Sequence, residues 1–158
     1  MAAQEEDYLL RQIEILGRII ARLMGRRDPG EEEHALMTAL NLQEKLFGMP
    51  PAEFLRRDAI DQVAALAANE SPEAAREKCL TYATLLRETA SLYQLRGQNH
   101  LATGARQLAL NIALLTALEQ PSPAADSLVV ELSARLAGTP LHAPVQALQD
   151  EFARRAGA

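Results

Sequence analysis

The chain reads as an all-α protein: a compact helical bundle or a short right-handed α-α superhelix of about six to seven helices. Three observations predict this. Hydrophobic residues fill 48% of the 158 positions while aromatics supply only 4%, with no tryptophan. A core of alanine and leucine favours close-packed helices over sheet. Large apolar residues recur at spacings of four and three, the period of an amphipathic helix, and no stretch reads as a strand. Helix punctuation is explicit, with Asp28-Pro29 and Ser71-Pro72 as starts and Gly48 and Gly97 as stops.

The first helix is expected from about Asp7 to Met24, where Leu9, Ile13, Leu16, Ile20 and Leu23 form one stripe. Tyr8, Ile15 and Ile19 widen it, and Arg11, Glu14, Arg18 and Arg22 take the opposite side. Burying the stripe is worth on the order of 10 kcal/mol as an upper bound, so it must be covered by something. Asp28 caps the second helix, Pro29 occupies its first position and Glu31 its capping-box position. That helix continues to Phe47 with Leu36, Ala39, Leu40, Leu42, Leu46 and Phe47 on its apolar side. Met49-Pro50-Pro51 breaks the chain. A weaker helical region covers Ala52 to about Ala68, with Asp58 able to cap a restart at Ala59.

Two long helices then form a hairpin across Gly97, covering 72–96 and 98–118. The first buries Ala75, Cys79, Tyr82, Leu86, Ala90 and Tyr93. The second repeats Leu101, Ala105, Leu108, Ile112 and Leu115 on one face and adds Leu110, Leu114 and Leu118 on another. Arg106 is its one formal charge between Arg96 and Glu119, so this helix is expected at the centre of the domain. Its polar residues, among them Asn99, His100, Gln107 and Asn111, argue against a bilayer span. Gln120-Pro121-Ser122-Pro123 forms the clearest linker, followed by two shorter helices around Gly138. This size suits one core. We read 1–158 as a single helical domain, with 7–119 as the main body and 124–156 as a C-terminal helical extension.

The hairpin resembles a tetratricopeptide unit through Leu86, Ala90, Tyr93, Gly97, Ala102 and the Ala109-Leu110 pair. It departs at Arg106, where a large apolar residue is usual, and at Leu114, where a helix-ending proline is common. More widely, the opening Asp7-Tyr8-Leu9-Leu10-Arg11-Gln12-Ile13-Glu14, the glycine-proline break after a leucine-rich helix and the closing hairpin are similar to an uncharacterised bacterial family of small all-helical proteins. That similarity implies an architecture and no activity. The tetratricopeptide resemblance implies Thr84, Arg87, Ser91 and Gln94 as partner-binding positions facing a groove, with Arg87 ready to bond an acidic or polar peptide.

Composition narrows the function. A net charge of −5 disfavours nucleic acid as a partner, since phosphate recognition needs a basic face. The single cysteine, Cys79, reads as a buried, inert thiol, and the acidic start MAAQEEDY does not resemble a signal peptide, so a cytoplasmic location is expected. The histidines at 34, 100 and 142 have no ligand spacing, and Glu31, Glu32 and Glu33 suit the first turn of a helix. No catalytic, cofactor-binding or metal residues are assigned. The leading expectation is a non-enzymatic helical scaffold that binds a protein partner or itself, a homodimer being one such form. Behind it stand a peripheral membrane protein using the amphipathic first helix, whose apolar face lies opposite Arg11, Arg18, Arg22, Arg26 and Arg27, and a small-molecule-sensing helical domain.

Overall fold

The computed structural model describes residues 2–157, with side chains from Asp7, so most of the acidic opening segment lies outside the described side chains. Eight helices are present among the described residues: α1 Ala2–Gly25, α2 Pro29–Phe47, α3 Pro51–Phe54, α4 Ala59–Ala67, α5 Pro72–Leu95, α6 Asn99–Glu119, α7 Pro123–Arg135 and α8 Ala143–Ala156. The count exceeds the expected six to seven because Pro50-Pro51 starts one short turn and Asp58 caps a separate helix. The first helix starts five residues earlier than the stripe indicates, since Ala2, Ala3, Gln4 and Glu5 all favour helix.

The capping residues act as the sequence suggests, with one correction. Side chains of Asp28, Asp58, Ser71 and Ser122 accept from backbone N–H groups three residues on. The reciprocal bond at the start of α2 comes from Glu32 rather than Glu31. Glu32 Oε2 accepts from the Asp28 N–H at 3.2 Å and from Arg27 Nε at 2.7 Å, while Glu31 reaches back to Arg22. Gly48 (φ 67°) and Gly97 (φ 75°) end their helices in the left-handed region that favours glycine. Gly104 differs, lying inside α6 with no heavy atom within 4 Å of an added Cβ. Gly104→Ala is expected to raise stability by about 0.5–1 kcal/mol and Gly97→Ala to lower it by about 1 kcal/mol in urea unfolding.

The helices form two layers. Tyr8 lies beneath the Lys45 ammonium and Arg22 meets Glu31, so α1 and α2 are antiparallel. Arg96 bonds Glu33, and Gln43 donates to Thr89, which sets α2 antiparallel to α5. Gln107 in α6 bonds the Pro140 carbonyl and His142 N–H, and Arg155 reaches the Leu118 carbonyl, so α8 runs parallel to α6. Leu80, Thr84 and Arg87 lie beside Ala124, Ser127 and Glu131, so α7 runs parallel to α5, and α1, α5 and α7 run one way while α2, α6 and α8 run the other.

The α1 stripe is internal. Leu9, Ile13, Leu16, Ile20 and Leu23 are 1–9% exposed, with α2 and α5 packed against the helix. The centre is the hairpin as a pair rather than its second helix. α5 borders α1, α2, α4, α6 and α7, while α6 borders α4, α5, α7 and α8. The deepest face of α6 keeps Leu110, Ile112 and Leu114 of the expected pattern, adds alanines and leaves out Leu101. Ala102, Ala109, Leu110, Ala113 and Leu114 are fully buried, whereas Leu101 is exposed. Ala83 and Ala90 of α5 are equally buried, so small side chains let the two backbones approach closely.

Most buried polar side chains find partners within the fold, Arg106 Nε and Gln149 Oε1 being buried atoms that find none. Gln62 Nε2 donates to the carbonyls of Phe54 (3.0 Å) and Arg57 (3.2 Å), and its Oε1 accepts from the Tyr82 hydroxyl at 2.9 Å. Glu32 is 1% exposed beside the 55% exposed Arg27, whose hydrogen bonds hold its carboxyl below the usual carboxylate range despite opposing desolvation. A depressed folded-state pKa adds stability above the ordinary carboxylate value, which is lost as Glu32 becomes protonated. Glu32→Gln is therefore expected to be less stable than the parent at neutral pH. The gap narrows as pH falls from about 5 through the lowered Glu32 value, measured by urea midpoints across that range.

Candidate functional site

The outer face of α5 is the floor of a trough. Thr81, Thr84, Arg87, Glu88, Ser91 and Leu95 project from it and are all half-buried, although no helix lies on top of them among the described residues. The flanking helices shelter them. On one side Gly17 of α1 comes close enough that an added Cβ would lie 3.7 Å from the Glu88 carboxylate. Leu10 and Met24 share the Gly17 flank at seven-residue spacing, and both are exposed. On the other side α7 completes a groove of about 210 Å³ lined by Leu80, Thr84, Arg87, Ser127, Leu128 and Glu131.

The four positions implied by the tetratricopeptide resemblance lie along this α5 face, and each has a partner within the chain. Thr84 Oγ1 donates to the Leu80 carbonyl at 2.8 Å and Ser91 Oγ to the Arg87 carbonyl at 3.3 Å. These bonds leave the hydroxyl lone pairs free to accept. Gln94 accepts from Arg106. Arg87 Nη1 donates to Glu131 Oε2 at 2.9 Å, and Nη2 donates to Glu88 Oε1 at 3.1 Å. One guanidinium therefore faces two carboxylates, and the local balance is negative. A neutral or basic segment suits this floor better than the acidic one that Arg87 alone suggests. Glu131 has no local signal that joins it to this face, because it lies beyond the 120–123 linker and 44 residues separate the pair.

The remaining reactive groups do not converge. Burial pushes the Cys79 thiol up to about 11, keeping it protonated at neutral pH beside Thr116. His34 and His100 are exposed on different helices, and His142 precedes α8. Among the described residues no group of three His, Cys, Asp or Glu side chains could hold a metal ion. Comparison with protein-family models, curated proteins and solved structures finds no match to this chain.

Proposed function

We propose that this protein is a non-enzymatic helical scaffold that binds a protein segment along the trough over α5. The observation that carries this reading is the half-burial of a polar helix face between two parallel helices, α1 and α7, with no helix packed over it among the described residues. The hydroxyls of Thr84 and Ser91 offer hydrogen bonds to a main chain, the Arg87–Glu88–Glu131 cluster favours neutral or basic side chains, and Leu10 and Met24 give apolar anchors along the rim. The tetratricopeptide-like hairpin α5–α6 favours the same side.

The peripheral-membrane reading needs the apolar face of α1 to be free, and that face is covered by α2 and α5. By length and composition α6 is apolar enough to cross a membrane, yet it is packed among α4, α5, α7 and α8. A protein partner suits the trough without displacing any buried side chain. The test is affinity capture from the native organism with the parent, a Thr84→Arg/Ser91→Arg variant that fills the trough, and an Ala52→Arg control on the exposed part of α3. Specific partners should disappear with the double variant and persist with the control. Identical capture by all three proteins overturns the assignment.

A further inference from the structure

The opposite layer carries a second concavity, distinct from the trough. An open hollow of about 330 Å³ lies between the start of α4, the middle of α6 and the first turns of α8. Its volume equals roughly ten water molecules in the liquid, at the lower end of small-ligand sites. Ile60, Leu115 and Leu148 give it apolar walls, and Ile60 is 66% exposed despite its size.

Two features restrict what enters. Asn111 is half-buried in the hollow and forms no side-chain hydrogen bond among the described residues, while Gln43, Gln62 and Gln107 all do. Both charged lining residues, Asp58 at the N-cap of α4 and Glu151 from α8, are acidic, and no basic side chain lines the hollow with them among the described residues. Asp58 uses one oxygen to cap Asp61, leaving the other free to accept. An anion would meet two like charges, whereas an ammonium on an apolar body meets complementary groups at both ends.

We propose that this hollow binds a small apolar amine, its hydrocarbon body against Ile60, Leu115 and Leu148. The ammonium donates to the Asn111 side-chain oxygen and faces Asp58 and Glu151. The test is an NMR titration of the ¹⁵N-labelled full chain with 2-phenylethylamine, alongside 2-phenylethanol and 3-phenylpropanoate as neutral and anionic counterparts. The amine should give saturable shifts at Ile60, Asn111, Leu115 and Leu148, and bind about tenfold more tightly than the alcohol, with the propanoate weaker still. Glu151→Gln, a change at an exposed position, should weaken the amine severalfold and leave the alcohol unchanged. Equal binding of amine and alcohol, saturable shifts elsewhere, or no saturation by about 10 mM amine overturns the proposal.

Discussion

Phe54→Ala is expected to lower the unfolding free energy by about 3–5 kcal/mol, although the residue belongs to a helix of only four residues. Most of its neighbours in the chain, Ala52, Glu53, Leu55, Arg56, Arg57 and Asp58, are exposed, while Phe54 itself is 0% exposed. Its ring stacks on Phe47 with centroids 4.4 Å apart, and Phe47 meets Tyr82 edge-on at 4.8 Å. Its carbonyl also accepts from Gln62, which binds Tyr82 in turn. Truncation opens a cavity where α2, α4 and α5 meet and loosens the peptide that holds Gln62. Chemical unfolding followed by far-UV circular dichroism checks it, and a loss under about 1 kcal/mol contradicts this packing.

Leu16→Ala is the second large effect, about 2–5 kcal/mol, because Leu16 is 1% exposed at the middle of the α1 stripe. Ile15, its exposed neighbour, serves as the control and should cost far less on truncation. The concentration dependence is as informative as the size. A stripe covered by α2 and α5 gives a Leu16→Ala midpoint independent of protein concentration. A stripe covered by a second subunit would make the loss shrink as concentration rises. Light scattering with size exclusion on both proteins completes the comparison.

Most of the helices were legible because their signals are local. Caps at Asp28, Ser71 and Asp58 and stops at Gly48 and Gly97 require only a few neighbouring residues. The core was less legible where small or polar residues carry it. Leucine spacing marked Leu101, which is exposed, and passed over Ala113, while Ala102 and Ala109 stood out only through the tetratricopeptide resemblance, since alanine buries little area yet decides how closely two helices approach. Gln43, Gln62 and Gln107 sit inside because each finds hydrogen-bond partners on other chain segments, a long-range condition that a local pattern does not contain. Phe54 offered one usable signal, a scarce aromatic seven residues from Phe47 across a proline break.

The trough was half legible. The resemblance placed Thr84, Arg87, Ser91 and Gln94 on one side of α5, but the walls come from α1 and α7, far away in sequence. Glu88 and Glu131 also pair with Arg87 within the chain, contacts the resemblance does not contain. Scaffold binding along this face is the central claim, and photo-crosslinking tests it most directly. A photoreactive phenylalanine analogue replaces Ser91 on the trough floor and, separately, the exposed Ala52 of α3 in the native organism. The claim predicts a discrete protein adduct from position 91 and none of that mass from position 52. No adduct from position 91, or the same adducts from both positions, would contradict it.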